Sequence, residues 1–205
     1  MQRNTIRQWI SAGFNYQRST RKRFGYSLTT YCGRIHSFLA GVQLGNNVCF
    51  YGKPFIQKAR TGKIVIGDHC SFRSNASSNL IGINRPCIIS ADADAILIIG
   101  ERCGFSGTVI GCFKHIIIED NVRCGANTLI TDGDWHSDDP RSGPPRAIYI
   151  GKNVWLGVNS TVLKGVSIGE NSVIGASSVV TKDIPSNVIA AGNPCKVIKA
   201  LNSYG

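Results

Sequence analysis

A histidine lies within an acidic segment in the middle of the chain. His136 follows Asp132 and Asp134 and precedes Asp138 and Asp139 in the sequence DGDWHSDD. Imidazole changes its charge near neutral pH, and a neighbouring carboxylate can orient the ring and keep it basic. Such a base can remove the proton of a substrate hydroxyl group. We therefore predict that His136 is the catalytic base and that an aspartate of this segment orients it, with Asp134 counted among the catalytic residues.

The other histidines and the cysteines are poorer candidates for chemistry. His36 lies in a basic leader, His69 and His115 fall in or beside turn positions, and none of these three begins a long insertion. Cys112 and Cys124 have no histidine that the sequence pairs with them, so we predict no thiol nucleophile. The histidines at 69, 115 and 136 are 46 and 21 residues apart, whereas a three-histidine zinc site needs a close pair. We predict no metal.

An aliphatic residue recurs at every sixth position in the last third of the chain. A period of six is neither the 3.6 of a helix nor the 2 of a strand, and it indicates a repeat. Each hexad gives one short strand with an inward side chain, and three hexads close a triangular coil. The residues are Ile150, Leu156, Val162, Ile168, Ile174 and Val180, with Ile118, Cys124 and Ile130 upstream. The period is less regular further upstream, at Ile99, Phe105 and Gly111, and at Ile66 and Phe72.

Gaps in this period predict where loops leave the coils. Ile118 and Ile150 are 32 residues apart, and a coil accounts for 18 of them, so about fourteen residues form an insertion. The segment 134–147 supplies them, which puts His136 near the start of the loop. The similar excess between residues 66 and 99 predicts irregular coils or a second excursion around 78–93.

The remaining sequence predicts one domain with helical ends. Residues 1–40 form a basic helical segment, because Ile6, Trp9, Ile10 and Phe14 fall near helical spacing. Residues 41–205 form the repeat domain, and the chain leaves the hexad period after residue 187 for a last strand and a short basic helix. Without an export signal or a long apolar stretch, we predict a cytoplasmic protein with free thiols.

Positive charge is concentrated in the first third of the chain. Residues 1–67 contain eleven Lys and Arg and no acid, whereas residues 68–205 contain twelve of each sign. No nucleic-acid-binding module accompanies the basic residues, so we predict no nucleic-acid partner. A basic face suits the anionic inner surface of a membrane or a phosphorylated substrate. A solvated basic helix without a partner is the alternative.

Three motifs give the sequence a family resemblance. The runs GASSVVTKDIP and AGNPCKVI near the C-terminus resemble the hexapeptide acetyltransferases related to galactoside and maltose O-acetyltransferases, and DGDWH is similar to the DxDxH of sugar and polysaccharide acetyltransferases. The resemblance implies an all-β fold, a left-handed parallel β-helix of hexapeptide repeats, with a short N-terminal helical segment and a C-terminal helix. It also implies a homotrimer with acyl-CoA in a groove between subunits.

The resemblance assigns further site residues. The backbone N–H of Val158 is expected to face the thioester oxygen, where a fixed donor stabilises developing charge. Acceptor binding is assigned to Ser106, Asp132 and Trp155. Acetyl-CoA, the acyl donor, is expected to lie along Gly157, Ala176 and Ser177 and to place its phosphates near Thr181, Lys182, Lys196 and Lys199.

These features predict an O-acetyltransferase that moves acetyl from acetyl-CoA to a sugar hydroxyl in surface polysaccharide synthesis. The N-terminal forty residues do not match the acidic helical segment of galactoside and maltose acetyltransferases, which argues against a free disaccharide acceptor. The alternatives are N-acetylation of an amino-nucleotide-sugar, acetylation of a xenobiotic, and a β-solenoid scaffold without catalysis.

Overall fold

Twenty short strands form three sheets in the computed structural model, which describes residues 26–136 and 138–201. Sheet A contains β1 (Gln43–Leu44), β4 (Lys63–Ile66), β7 (Ile96–Ile99), β10 (His115–Ile118), β13 (Ile148–Ile150) and β16 (Ser167–Ile168). Sheet B contains β2 (Cys49–Tyr51), β5 (Ser71–Arg73), β8 (Gly104–Ser106), β11 (Arg123–Ala126), β14 (Trp155–Leu156), β17 (Val173–Ile174), β19 (Val188–Gly192) and β20 (Cys195–Ala200). Sheet C contains β3 (Phe55–Lys58), β6 (Ile88–Ala91), β9 (Val109–Cys112), β12 (Leu129–Thr131), β15 (Thr161–Val162) and β18 (Val179–Val180).

The chain visits the sheets in the order A, B, C once per coil, as the hexads predict. All strand neighbours except β19 and β20 are parallel. Ile118 pairs with Ile150 across the insertion, and Ile150 pairs with Ile168 after one uninterrupted coil. Both pairings agree with the spacings of 32 and 18 residues in the sequence. The predicted parallel β-helix is confirmed.

The inward side chains form one continuous core. All six aliphatic residues of the 150–180 series are fully buried, and each contributes roughly 1.5–3 kcal/mol. Phe50, Phe72 and Phe105 stack along the axis with ring centroids 5.3 and 4.9 Å apart. Gly111 departs from the predicted series, because Ile110 rather than Gly111 pairs with Ile130 of the next coil.

Asparagines occupy the corners between sheets A and B. Asn153, Asn171 and Asn187 have φ of 59°, 59° and 58°, a left-handed conformation that asparagine tolerates better than most residues. The Asn153 side-chain amide donates to Asn171 Oδ1 at 2.9 Å, and Asn171 donates to Asn187 Oδ1 at 3.0 Å. This ladder joins three successive coils. His69, with φ of 59°, lies in a turn of the same kind, as predicted.

A helix, α1 (residues 26–39), covers the N-terminal end of the solenoid. Its Thr29 hydroxyl donates to the Phe50 carbonyl at 2.7 Å, and the Phe50 N–H donates to Thr30 Oγ1 at 2.9 Å. The predicted helical segment is thus present over these residues. The predicted helix around residues 6–14 lies outside the described residues, and the division of the chain at residue 41 stays a prediction.

The predicted C-terminal helix is wrong over the described residues. Cys195–Ala200 is the strand β20, which turns back and pairs antiparallel with β19. The pairing occupies the last edge of sheet B, whose backbone N–H and C=O groups would otherwise lack partners.

Two insertions leave the coils. Residues 132–147 separate β12 from β13, and residues 74–87, with a 3₁₀ turn at Ala76–Ser78, separate β5 from β6. Both were expected from the gaps in the hexad period. The second insertion, expected around residues 78–93, begins and ends a few residues earlier in the structure. The first insertion carries His136.

Candidate active site

Hydrogen bonds join the two ends of the loop of residues 132–147 and fix the backbone of His136 within it. The Arg146 N–H donates to the Asp132 carbonyl at 2.9 Å, which joins the two ends of the loop. The His136 carbonyl accepts from the Asp139 N–H at 3.1 Å and from the Ser142 hydroxyl. His136 is exposed, and its imidazole has no hydrogen-bond partner among the residues that the structure describes. The loop therefore holds the histidine in place and leaves its ring open to a substrate.

Asp134 binds a lysine of the next coil rather than His136. Its Oδ2 accepts from Lys164 Nζ and, at 3.1 Å, from the Gly143 N–H. The Lys164 ammonium and this N–H hold the pKa of the Asp134 carboxyl below its usual value. Lys164 also donates to the Gly143 carbonyl at 3.0 Å. Asp134 therefore fastens the loop to the solenoid, and the expected contact with the imidazole is absent from the described structure.

Replacing Lys164 by methionine should release this carboxylate. We expect the pKa of Asp134 to rise towards the ordinary value of about 3.9, as measured by carboxyl NMR titration. Because the folded-state pKa is lowered, the ion pair stabilises the loop fully above that ordinary value, and the contribution is lost as the pH falls through the lowered pKa. Lys152→Met is the matched control and should leave the titration of Asp134 unchanged. An identical titration of Asp134 in Lys164→Met and wild type would contradict the assignment.

Asp132 is buried beneath the loop. Its carboxylate accepts three backbone N–H groups: Phe113 at 2.6 Å, Lys114 at 2.9 Å and His115 at 2.7 Å. The side chain has no solvent exposure. The geometry therefore does not support the predicted contact of Asp132 with an acceptor, and it indicates instead that Asp132 anchors the start of the loop to the turn between β9 and β10.

Trp135, the residue before His136, was not predicted as a site residue, but its side chain has a defined place in the structure. Its indole N–H donates to Thr131 Oγ1 at 3.1 Å, and its ring packs edge-on against Phe113, with centroids 4.9 Å apart. A φ of 66° is strained for a bulky residue. A Cβ on Gly111 would lie 2.4 Å from the indole, so the break in the hexad pattern at Gly111 makes room for this ring.

A cavity opens beside Trp135 on the outer side of sheet C. Its volume is about 360 Å³, and it brings together Gln57, Ser90, Asp92, Phe113 and Trp135. An aromatic wall facing amide, hydroxyl and carboxylate groups is suited to a polar, hydroxylated ligand. The first three residues come from early coils and carry no motif, so sequence reasoning missed them.

Four of the residues predicted to contact the thioester and pantetheine of acetyl-CoA lie at the corner between sheets B and C: Gly157, Val158, Ala176 and Ser177. The Val158 N–H has no hydrogen-bond acceptor among the described residues, whereas its carbonyl accepts from the Ser177 N–H at 2.8 Å. A Cβ on Gly157 would lie 2.5 Å from the backbone nitrogen of Ala176, so the close stacking of these coils needs glycine. Ala176 and Ser177 are exposed beside it. The corner offers a free backbone donor next to a groove of small residues.

Four further predicted residues occupy sheet B. Ser106 is only 6% exposed, and its hydroxyl accepts from Asn79 Nδ2 at 3.1 Å. The second insertion therefore covers Ser106, and the structure does not support its predicted role in acceptor binding. Trp155 projects outward with 56% of its surface exposed. Lys196 is exposed opposite Ala191 in the terminal hairpin, and Lys199 is exposed opposite Ile189.

The predicted base and the predicted oxyanion donor occupy two different corners of one chain. His136 lies between sheets C and A, where Thr181 and Lys182 also lie two coils later, whereas Val158 and Ala176 lie between sheets B and C. A strand of sheet C separates these corners by roughly 10–15 Å. A single chain therefore does not bring the histidine and the free Val158 N–H together.

Residues 26–136 and 138–201 contain no group of three His, Cys, Asp or Glu side chains that could hold a metal ion. No helix within these ranges combines the length and the apolar character needed to span a membrane.

Comparison with known proteins identifies the repeat. Residues 147–182 match the family described as bacterial transferase hexapeptide (six repeats). The chain is 46% identical over 102 residues to the galactoside O-acetyltransferase of Escherichia coli strain K12, covering 48% of this chain and 50% of that protein. Among solved structures, a galactoside acetyltransferase in complex with coenzyme A is 28% identical with a TM-score of 0.50, over 78% of this chain and 65% of that one.

A polysialic-acid-specific acetyltransferase, NeuO, is also similar. It is 28% identical with a TM-score of 0.50, and the match covers 80% of this chain and 79% of NeuO. The chain spans about half the length of the curated galactoside O-acetyltransferase that it matches. The expected resemblance to the hexapeptide-repeat acyltransferases is confirmed, and residues 147–182 of this chain carry the bacterial transferase hexapeptide repeat.

Proposed function

We propose that this protein is an O-acetyltransferase that moves acetyl from acetyl-CoA to a sugar hydroxyl. The observation that carries the proposal is the exposed imidazole of His136, held by a fixed loop beside the cavity at Trp135. The similarity to galactoside O-acetyltransferase and to a coenzyme A complex supports the donor and the reaction class. Surface polysaccharide is the proposed acceptor, and the similarity to NeuO supports it.

In the proposed reaction, the acceptor hydroxyl attacks the thioester directly. His136 removes the proton of the hydroxyl as its oxygen bonds to the carbonyl carbon. The Val158 N–H donates to the carbonyl oxygen while negative charge develops there. When the carbon–sulfur bond breaks, His136 returns the proton to the sulfur of CoA. No covalent enzyme intermediate is needed, in keeping with the burial of Cys112 and Cys124.

We also propose a left-handed winding of the coils and a homotrimer. The two separated corners support a trimer, because His136 of one subunit can meet Val158 of a neighbour. Gly157, Ala176 and Ser177 would then flank the pantetheine arm, and Trp155 the acceptor. Thr181, Lys182, Lys196 and Lys199 are exposed and suited to the phosphates. The cytoplasmic location stays a prediction.

Release of thiol from acetyl-CoA in the presence of candidate acceptors tests the proposal. We expect turnover with oligosaccharides of surface polysaccharides, and acetyl esters in the products by mass spectrometry. Products with acetyl amides would favour an amino-nucleotide-sugar acceptor instead, and turnover of a small drug-like alcohol alone would favour xenobiotic acetylation. No thiol release with any acceptor would favour a scaffold.

Mixing two inactive variants should restore activity if the site is shared between subunits. Ala176→Arg blocks the pantetheine path, since Ala176 is exposed beside Gly157, and His136→Ala removes the base. In trimers refolded from both, some interfaces combine a wild-type histidine with an open groove. We expect a measurable fraction of wild-type turnover once sedimentation has shown trimers. Mixed trimers as inactive as either parent would place each site within one chain.

A further inference from the structure

The helix α1 turns its polar side towards the protein. Besides the bonds of Thr29 and Thr30 to Phe50, the Gly52 N–H donates to Thr29 Oγ1 at 3.3 Å. A Cβ on Gly33 would lie 2.5 Å from the ring of Phe50, so glycine allows the helix to approach the end of the core. Ser37 is fully buried on the same side. Hydroxyl groups, glycine and the ring of Tyr26, which packs edge-on against Tyr51 with centroids 4.9 Å apart, therefore hold α1 on the solenoid.

The opposite side of α1 carries large apolar side chains that face solvent. Their exposed fractions are 55% for Leu28, 65% for Tyr31, 43% for Ile35, 80% for Phe38 and 76% for Leu39. Steps of three and four residues place them on one helix face, which we call the outer stripe. A surface helix normally buries such a stripe and exposes its polar face. The reversed arrangement in α1 marks an interaction surface.

Positive charge accompanies the outer stripe. The eleven Lys and Arg of residues 1–67 occur without any Asp or Glu. Arg34 belongs to α1 itself, and Lys53 lines a cavity of about 250 Å³ together with Leu28, Cys32 and His36. A protein partner for an apolar face has no general need for this excess of one sign. An anionic bilayer does, because its headgroups attract cations while its acyl boundary accepts apolar side chains.

We propose that α1 lies flat on an anionic lipid bilayer, with the outer stripe in the boundary between headgroups and acyl chains. Basic residues from the first third of the chain, among them Arg34 of α1 and Lys53 beside Leu28, contact the headgroups. In a cyclic oligomer, all copies of α1 lie at the same height along the symmetry axis, so copies that face one end of the oligomer can contact one bilayer together and strengthen binding. This docking adds a membrane partner to the enzyme and does not depend on acetyl transfer.

Vesicle sedimentation with the full chain tests the proposal. We expect binding to vesicles of phosphatidylcholine with phosphatidylglycerol, weaker binding to phosphatidylcholine alone, and a decrease with added salt. Phe38→Ser combined with Leu39→Ser should lower the partition coefficient by about tenfold or more, because two exposed apolar side chains are lost. Tyr31→Ser is a second, milder variant of the stripe. Circular dichroism should show that both variants remain folded.

Another exposed apolar pair supplies the matched control. Leu80 and Ile81 lie in the second insertion with 88% and 63% of their surfaces exposed. Leu80→Ser combined with Ile81→Ser should bind vesicles like wild type. The proposal is overturned if wild type does not bind the anionic vesicles, or if the Leu80→Ser, Ile81→Ser control loses as much binding as the stripe variants. It is also overturned if wild type, without lipid, forms larger assemblies than Phe38→Ser with Leu39→Ser, since the stripe would then join copies of the chain. Because neither substrate is present, a failed acetylation assay would not affect the result.

Discussion

His136→Ala is expected to lower turnover by about 10²- to 10⁴-fold, the usual contribution of a positioned general base. His136 is exposed and directly follows Trp135, which lines the cavity, while the bonds that fix the loop use the carbonyl of His136 and not its ring. Alanine therefore removes the base and leaves these bonds intact. The affinity for CoA, measured by calorimetry, should barely change, so the loss should appear in turnover rather than in donor binding.

Two other histidines provide the controls for this experiment. His69→Asn suits its position, because the left-handed φ of 59° is one that asparagine adopts at the neighbouring corners. His115→Ala alters a partly buried residue of β10. Both variants should keep turnover close to wild type. If either one loses as much as His136→Ala, or if the folded His136→Ala variant keeps its turnover, His136 is not the base.

The coils could be predicted from sequence because the requirement for a buried side chain recurs at a fixed interval along the chain. An inward side chain every six residues must be apolar, since it stacks on equivalent side chains of the coils above and below. Ile150 and Ile168 pair in the structure as their spacing of 18 indicates. The same reasoning located both insertions as excess length. It failed at Gly111, where the fit of Trp135 outweighs the periodic pattern.

The C-terminal strand could not be predicted from local composition. Lys196 and Lys199 in a short basic segment favoured a helix, but the open edge of β19 decides the conformation. A strand that pairs with β19 satisfies backbone groups along the whole edge, whereas a helix would leave them to solvent. The partner that determines the structure is the preceding strand, and its exposed edge is visible only in three dimensions.

The position of His136 in the insertion could be predicted from the sequence, whereas the partners of the surrounding aspartates could not. Proximity in sequence suggested that one of the four aspartates around His136 orients the imidazole, with Asp134 counted among the catalytic residues. Asp134 instead pairs with Lys164, thirty residues later. Asp132 bonds to the turn that begins at Phe113, nineteen residues earlier. These distant partners meet because stacked coils bring equivalent corners together, so the acidic segment serves to hold the loop.

Asp132→Ala should cost about 3–5 kcal/mol of the free energy of unfolding. The substitution leaves the N–H groups of Phe113, Lys114 and His115 without the carboxylate that now accepts all three, and a donor left without a partner costs about 1–3 kcal/mol where it is shielded from water. A loss of this size is a large share of the 5–15 kcal/mol that is typical of whole proteins. Denaturant unfolding at a fixed protein concentration measures it.

Two substitutions distinguish this contribution from a general effect of the acidic segment. Asp138→Ala removes an exposed carboxylate from the same loop and should change the free energy of unfolding by no more than about 0.5 kcal/mol. Asp132→Asn keeps one acceptor oxygen but turns an NH₂ group towards the remaining donors, so it should recover only part of the lost stability. Because the loop that begins at Asp132 presents His136, the less stable variants should also lose turnover at temperatures where they remain folded. An Asp132→Ala protein as stable as wild type would show that water or a backbone shift replaces the carboxylate, and the role of Asp132 as the anchor of the catalytic loop would then be wrong.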